Sequence, residues 1–164
     1  MGKVSDRALL IVDRLYELGK RVIHMRSSSL PFVTILTPVY NGEMYLVECI
    51  ESVLAQTFEN WEYIIINNCS TDGTLTIAQE YARRDSRIQV HTNEDFVGVI
   101  ENHNIAFSLM PATSKYCKVV AADDLIASDC IDRMVQLAEA HPTVAIVGCY
   151  QQSGEHVLWK GLPP

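Results

Sequence analysis

From residue 32 onward the chain alternates short unbroken apolar runs with longer stretches in which apolar residues recur every three or four positions. A short continuous run rich in β-branched residues reads as a buried strand, and the longer period reads as an amphipathic helix. "FVTILTPVY" is the first strand, stopped by Pro38, and "EMYLVECIESVLAQTF" is the helix after it, with Leu46, Cys49, Ile50, Val53 and Leu54 on one face. "WEYIIINN" and "TDGTLTIAQEYARRD" make the next strand and helix, and "RIQVHTN" and "VIENHNIAFSLM" the pair after that. "YCKVVAADD" is a fourth strand, and "SDCIDRMVQLAEAH" a helix with Ser128 or Asp129 as its N-cap. "VAIVGCYQQ" is expected to form a fifth strand.

Strands that are apolar throughout, rather than in alternation, are covered on both faces. The expected fold class is therefore α/β, a largely parallel Rossmann-like sheet with helices on both sides. Ahead of it, "VSDRALLIVDRLYELGKRVIHM" spaces Ala8, Ile11, Val12, Leu15, Leu18 and Val22 as one amphipathic helix, and "RSSSLP" reads as a hinge. The organisation expected is a helix and hinge over residues 1–30, an α/β domain over 31–150, and from 151 to 164 the beginning of a further C-terminal part. The apolar stripe of the N-terminal helix should pack on the domain or on a second copy, as a homodimer; a membrane-surface anchor is the alternative.

Parallel sheets of this kind bind ligands beyond the carboxyl ends of their strands. The informative residues are those that follow each strand: Pro38, Tyr40 and Asn41, then Asn67 and Asn68, then Asn93, then Asp123 and Asp124. All should lie along one edge, which is polar and carries two adjacent carboxylates.

Composition narrows what that edge can hold. The chain has 164 residues, 48% of them apolar, and a net charge of -7, so it has no general attraction for nucleic acid or anionic membranes, and an anionic ligand would need a local cation. Five cysteines without a CxxC pair suggest reduced thiols in a cytoplasmic protein rather than a disulfide framework or a zinc site. No run reaches the roughly 18 apolar residues of a membrane span, and no signal peptide pattern opens the chain.

The adjacent carboxylates have a plain alternative as helix caps. Ser128 and Asp129 are nearer caps, however, which leaves Asp123 and Asp124 too early in the chain for that role. Two neighbouring carboxylates repel each other, and a hard divalent cation such as Mn2+ or Mg2+ relieves the repulsion. These ions take one or two carboxylates and complete their coordination with water and phosphate oxygens. No GxGxxG or Walker loop, GxSxG elbow or HExxH helix is present, and the five histidines are scattered.

Together, "TPVYN", "LAQTF", "CSTDGT" and "AADD", in this order and on these elements, resemble the nucleotide-sugar-binding half of the family 2 inverting glycosyltransferases, which have the A-type glycosyltransferase fold. The resemblance runs from about residue 32 to 150. It implies that Tyr40 lies near the nucleotide base with Pro38 and Val39 as the wall, and that Asn68 stands where the family usually has an acid that contacts the base. An amide both donates and accepts where a carboxylate only accepts, so the identity of the base is left open. It implies that Asp123 is the last acid of the family's DxD-type motif, with Ala121 at the first position, and that Asp124 is an extra acid; both are expected to serve metal and donor. Asn104, on a helix that borders the donor pocket in the family, is a further expected substrate contact.

The resemblance also implies the reaction: transfer of a sugar from a nucleoside diphosphate sugar to a hydroxyl of a saccharide or lipid-linked saccharide acceptor, with inversion, in polysaccharide or glycoconjugate synthesis. The family's catalytic base falls after the fifth strand, so it is expected beyond Pro164 and the sequence is expected to be a truncated enzyme. A noncatalytic sugar-nucleotide-binding module and a nucleotidyltransferase are the competing readings. The second usually carries a glycine-rich, basic loop near strand one, and "TPVYNGE" is neither.

Overall fold

A computed structural model of the chain describes residues 33–149 and the backbone of two short strands at 151–153 and 156–159. The expected N-terminal helix and hinge lie outside the described residues. The elements run β1 (Val33–Val39), α1 (Leu46–Leu54), β2 (Trp61–Asn67), α2 (Thr74–Arg84), β3 (Ile88–Thr92), α3 (Val99–Ser108), β4 (Tyr116–Val119), α4 (Cys130–Ala140), β5 (Gln151–Ser153) and β6 (His156–Trp159). The first four strands form one sheet in the order β3-β2-β1-β4, and every neighbouring pair is parallel.

Because side chains alternate along a strand, an apolar run buried in the middle of a sheet serves two cores. Val33, Ile35 and Val39 of β1 and Trp61, Tyr63 and Ile65 of β2 pack against α1, Ala78 of α2 and Ile131 and Val135 of α4. One residue out of phase, Leu36, Ile64 and Ile66 pack against Ala106 of α3. All seven residues of β2 are buried, the physical reason "WEYIIIN" carries no polar alternation on its solvent side. Helices thus cover both faces, as expected.

Two expectations change. Pro38 does not stop β1, which runs to Val39 with Pro38 opposite Ile66. The carbonyl of Leu36 accepts a hydrogen bond from Val120, so Leu36, and Pro38 two residues on, face the β4 side. The β1–β4 register ends at Leu36 opposite Val119, so the amide hydrogen that Pro38 lacks is missing where the ladder has already ended. The fifth strand is also different. Residues 144–149 form no strand, and β5 pairs antiparallel with β6 instead of joining the sheet. The apolar run from Val144 to Val147 lies along the open edge of β4, where with Tyr116, Lys118, Met134 and others it lines a cavity of about 280 Å³. Val144 and Ile146 stay exposed there, so the burial that an apolar run leads one to expect is not met in this segment.

The "AQTF" stretch after α1 has a structural use. Gln56, buried, donates through Nε2 to the carbonyls of Ser52 (3.0 Å) and Ala127 (2.7 Å) and accepts through Oε1 from the amide of Ile131 (3.0 Å). Asp129 occupies the N-cap of α4 without a side-chain cap bond, and Gln56 supplies that service from another element. Replacing Gln56 with alanine leaves the Ala127 carbonyl and the Ile131 amide short of partners. The expected loss is about 2 to 4 kcal/mol of unfolding free energy, read by urea denaturation.

Candidate functional site

The carboxyl ends of the four parallel strands share one edge, and loops from each meet there. After β1 the chain turns through Asn41, whose φ of 50° is a left-handed conformation that asparagine tolerates. Its amide donates to Ser70 Oγ (3.0 Å) and its Oδ1 accepts from the Thr71 amide (2.8 Å), tying the β1 loop to the one after β2. Gly42 follows, and its amide donates to Thr74 Oγ1 at 2.8 Å. A Cβ on Gly42 would lie 3.5 Å from Ala122 Cβ, ordinary contact distance, so the loop carrying Tyr40 lies beside the segment just before the acidic pair, and only 2.6 Å from Val39 Cγ2. No other residue fits that approach without a shift.

"STDGT" locks the same corner. Asp72 accepts from the Thr74 hydroxyl (2.5 Å) and amide (3.0 Å) and from the Glu43 amide (3.1 Å), while Glu43 accepts from the Gly73 amide (2.8 Å). Partial burial acts to raise the Asp72 carboxyl, yet these hydrogen bonds prevail and hold it below its ordinary value. Stabilisation from a lowered carboxyl is fully present above its unfolded pKa, about 3.9, and is lost as pH falls through the lower folded value. Asp72→Asn should therefore be less stable than wild type at neutral pH, and the gap should close at an acid pH below the lowered folded value. Chemical denaturation at both pH values checks this.

Beneath the acidic pair lies a buried chain of hydroxyls. The Tyr63 phenol, fully buried, bonds Thr37 Oγ1 (2.8 Å), and Thr37 in turn donates to the Val120 carbonyl (2.8 Å). The Cys49 thiol donates to the next carbonyl, of Ala121, at 3.4 Å. Burial pushes both groups above their ordinary values; for Cys49 the carboxylates of Asp124 and Asp123 add to the effect, which marks them as near neighbours. Two consecutive carbonyls are thus held from below, and the chain then turns, with the Asp124 amide donating to the Ala121 carbonyl at 3.0 Å. Asp123 and Asp124 stand exposed on this turn, and neither is paired with a cation among the described residues.

These carboxylates suit a hard divalent ion. They are open to solvent, sit on a hydrogen-bonded turn and lack a cationic partner among the described residues. Among the described residues no third His, Cys, Asp or Glu joins them, which fits an ion completing its coordination with water and phosphate.

Tyr40 is half exposed, with its ring 4.8 Å from that of Phe96 at an interplanar angle of 60°. Phe96 was missed from the sequence, where "NEDFVG" reads only as a loop between strand and helix. Pro38 lies at the carboxyl end of β1, two residues before Tyr40. Asn68 is 3% exposed and its amide is engaged: Oδ1 accepts from Asn93 Nδ2 (2.9 Å) and the Val97 amide (3.0 Å), and Nδ2 donates to the Val97 carbonyl (2.8 Å). Asn93 also donates to Asn102 Oδ1 at 2.9 Å. On α3 it is thus Asn102 that faces this cluster, buried, while Asn104 lies two positions on and is exposed.

Residues 34–163 match the family described as Glycosyl transferase family 2. A Haemophilus influenzae glycosyltransferase is 34% identical over 120 residues, 73% of this chain and 36% of that protein. Glycosyltransferase EpsJ of Bacillus subtilis is 36% identical over 138 residues, covering 82% of this chain and 38% of its own. The crystal structure of S. aureus TarS 1–349 in complex with UDP superposes with a TM-score of 0.61 at 26% identity, over 67% of this chain and 32% of TarS. The chain thus spans less than half the length of the relatives it matches, and its sheet and helices are those of the A-type glycosyltransferase fold. By sequence and by architecture, this chain belongs to glycosyl transferase family 2.

Proposed function

We propose that the edge formed by Tyr40, Phe96, Asp123 and Asp124 binds a nucleoside diphosphate sugar, and that the whole protein transfers the sugar to a hydroxyl of a saccharide or lipid-linked saccharide. The observation that carries this reading is the acidic turn itself: two exposed carboxylates without a cationic partner among the described residues, held from below through the carbonyls that Thr37 and Cys49 bond, with the Tyr40 loop beside them. A chain of net charge -7 has little else with which to attract a diphosphate.

Asp123 and Asp124 would hold Mn2+ or Mg2+, and such an ion offsets the negative charge that grows on a departing diphosphate. Tyr40 offers a ring face to the nucleobase, with Phe96 beside it. The loop hydrogen bonds through Asn41, Glu43 and Asp72 fix Tyr40 before the ligand arrives, so less ordering entropy is lost on binding. In the reaction, a general base of the whole protein takes the proton of the acceptor hydroxyl, whose oxygen forms a bond to the anomeric carbon while the bond to the diphosphate breaks on the opposite face, and the sugar inverts.

Calorimetry with uridine, thymidine and guanosine diphosphates, in manganese and in chelator, tests the reading. Binding in manganese that chelator removes is expected. Equal binding in both overturns the metal role, and no binding to any of the three overturns the donor site.

A further inference from the structure

We propose that Asn68 is a positioning residue, one that holds the 93–98 loop and through it Phe96 beside Tyr40, and that it leaves reading of the nucleobase edge to other groups. This rests on taking the edge as a nucleotide site.

Val97 presents both its backbone amide and its carbonyl to Asn68, at 3.0 and 2.8 Å. Only a side chain that donates and accepts side by side can answer both, and the carboxamide does so as a peptide in a neighbouring strand would. With Asn93 also donating to it, three of its four hydrogen-bonding positions are occupied, at 3% exposure. A base edge would have to displace the loop to reach it.

The loop has few other holds. Asn93 at its start is anchored by its amide to the Asn67 carbonyl (3.0 Å), by Cys69 Sγ to its own carbonyl (3.2 Å) and by its Nδ2 to Asn102. Residues 94–96 are exposed, and α3 begins only after Gly98. Phe96 itself is 61% exposed, so burial does little to keep its ring 4.8 Å from Tyr40. The Asn68–Val97 pair, one residue beyond Phe96, sets where that ring sits.

Aspartate has the same shape and keeps the bonds from Asn93 and the Val97 amide, but its second oxygen opposes the Val97 carbonyl. Asn68→Asp should therefore release the loop while retaining the fold, monitored by thermal melting. Binding of uridine, thymidine, guanosine and adenosine diphosphates in manganese is then measured for wild type, Asn68→Asp, Phe96→Ala and the double variant. The expected result is a loss of about tenfold for Asn68→Asp that is the same for every base. The double variant should bind no more weakly than Phe96→Ala, because Asn68 acts through that ring. A changed order of base preference in Asn68→Asp, or fully additive losses in the double variant, overturns the proposal. Wild-type protein supplies an independent check by NMR: the Asn68 side-chain amide signals should take the same positions with each nucleotide while the Phe96 ring signals move. Asn68 signals that differ from base to base overturn it. Absence of binding by wild type would instead overturn the donor-site reading on which the proposal stands.

Discussion

Replacing Asp123 with alanine should weaken manganese-dependent binding of a nucleoside diphosphate by at least about tenfold and toward 100-fold, leaving only what the aromatic wall provides in chelator. Changes even to groups behind a metal ligand cost about 10- to 100-fold in affinity, and a ligand itself should cost no less. Asp124→Ala should lose less. The larger loss is expected at Asp123 because the resemblance puts it at the last acid of the family's metal motif, directly after Ala122, which lies beside the Gly42 loop. Both side chains are exposed and neither is in an ion pair among the described residues, so the melting temperature of each variant should stay close to wild type. That separation of binding from stability is the content of the prediction. A large fall in stability with Asp123→Ala would mean the carboxylate serves the fold.

Thr37→Val should have the opposite signature, losing stability and metal-dependent affinity together. Valine fills the same space in a fully buried position, but it cannot accept from the Tyr63 phenol or donate to the Val120 carbonyl. Two buried polar groups each lose that partner, which should cost roughly 2 to 4 kcal/mol in urea denaturation. The Val120 carbonyl belongs to the segment that positions the acidic turn, so nucleotide affinity in manganese should also fall, by several-fold. Loss of stability with unchanged affinity would show that the buried hydroxyl chain supports the sheet alone.

Much of this architecture was legible because its two central strands, β1 and β2, are buried on both faces. A run such as "WEYIIIN", too short for a helix and largely apolar on both faces, fits a central strand between two layers, and the parallel sheet follows from the helices between such runs. The strand ends then named Tyr40, Asn68, Asn93 and the acidic pair without coordinates. What stayed hidden depends on which groups meet across long stretches of sequence. Gln56 reaches Ile131, 75 positions away, and Thr37 reaches Val120, 83 away; nothing in the local pattern of "AQTF" or "ILTP" encodes either partner. Pro38 was misread because its missing hydrogen matters only where a ladder continues, and here the ladder to β4 has ended. The run from Val144 was misread because its apolar pattern implies a buried strand, while Val144 and Ile146 are exposed and unpaired in the sheet. Phe96 was overlooked because an aromatic residue in a loop gains meaning only from its neighbour, Tyr40.

A divalent ion and a nucleoside diphosphate should meet at the acidic turn on the carboxyl edge of the sheet. Paramagnetic broadening by Mn2+ reads this position directly, on isotope-labelled protein saturated with uridine diphosphate. The amide signals of residues 121–125 and 40–42 should broaden first, at substoichiometric Mn2+, and Asp123→Ala should abolish the effect there. Broadening that begins elsewhere, or that is unchanged in the Asp123 variant, would contradict this placement of the ion.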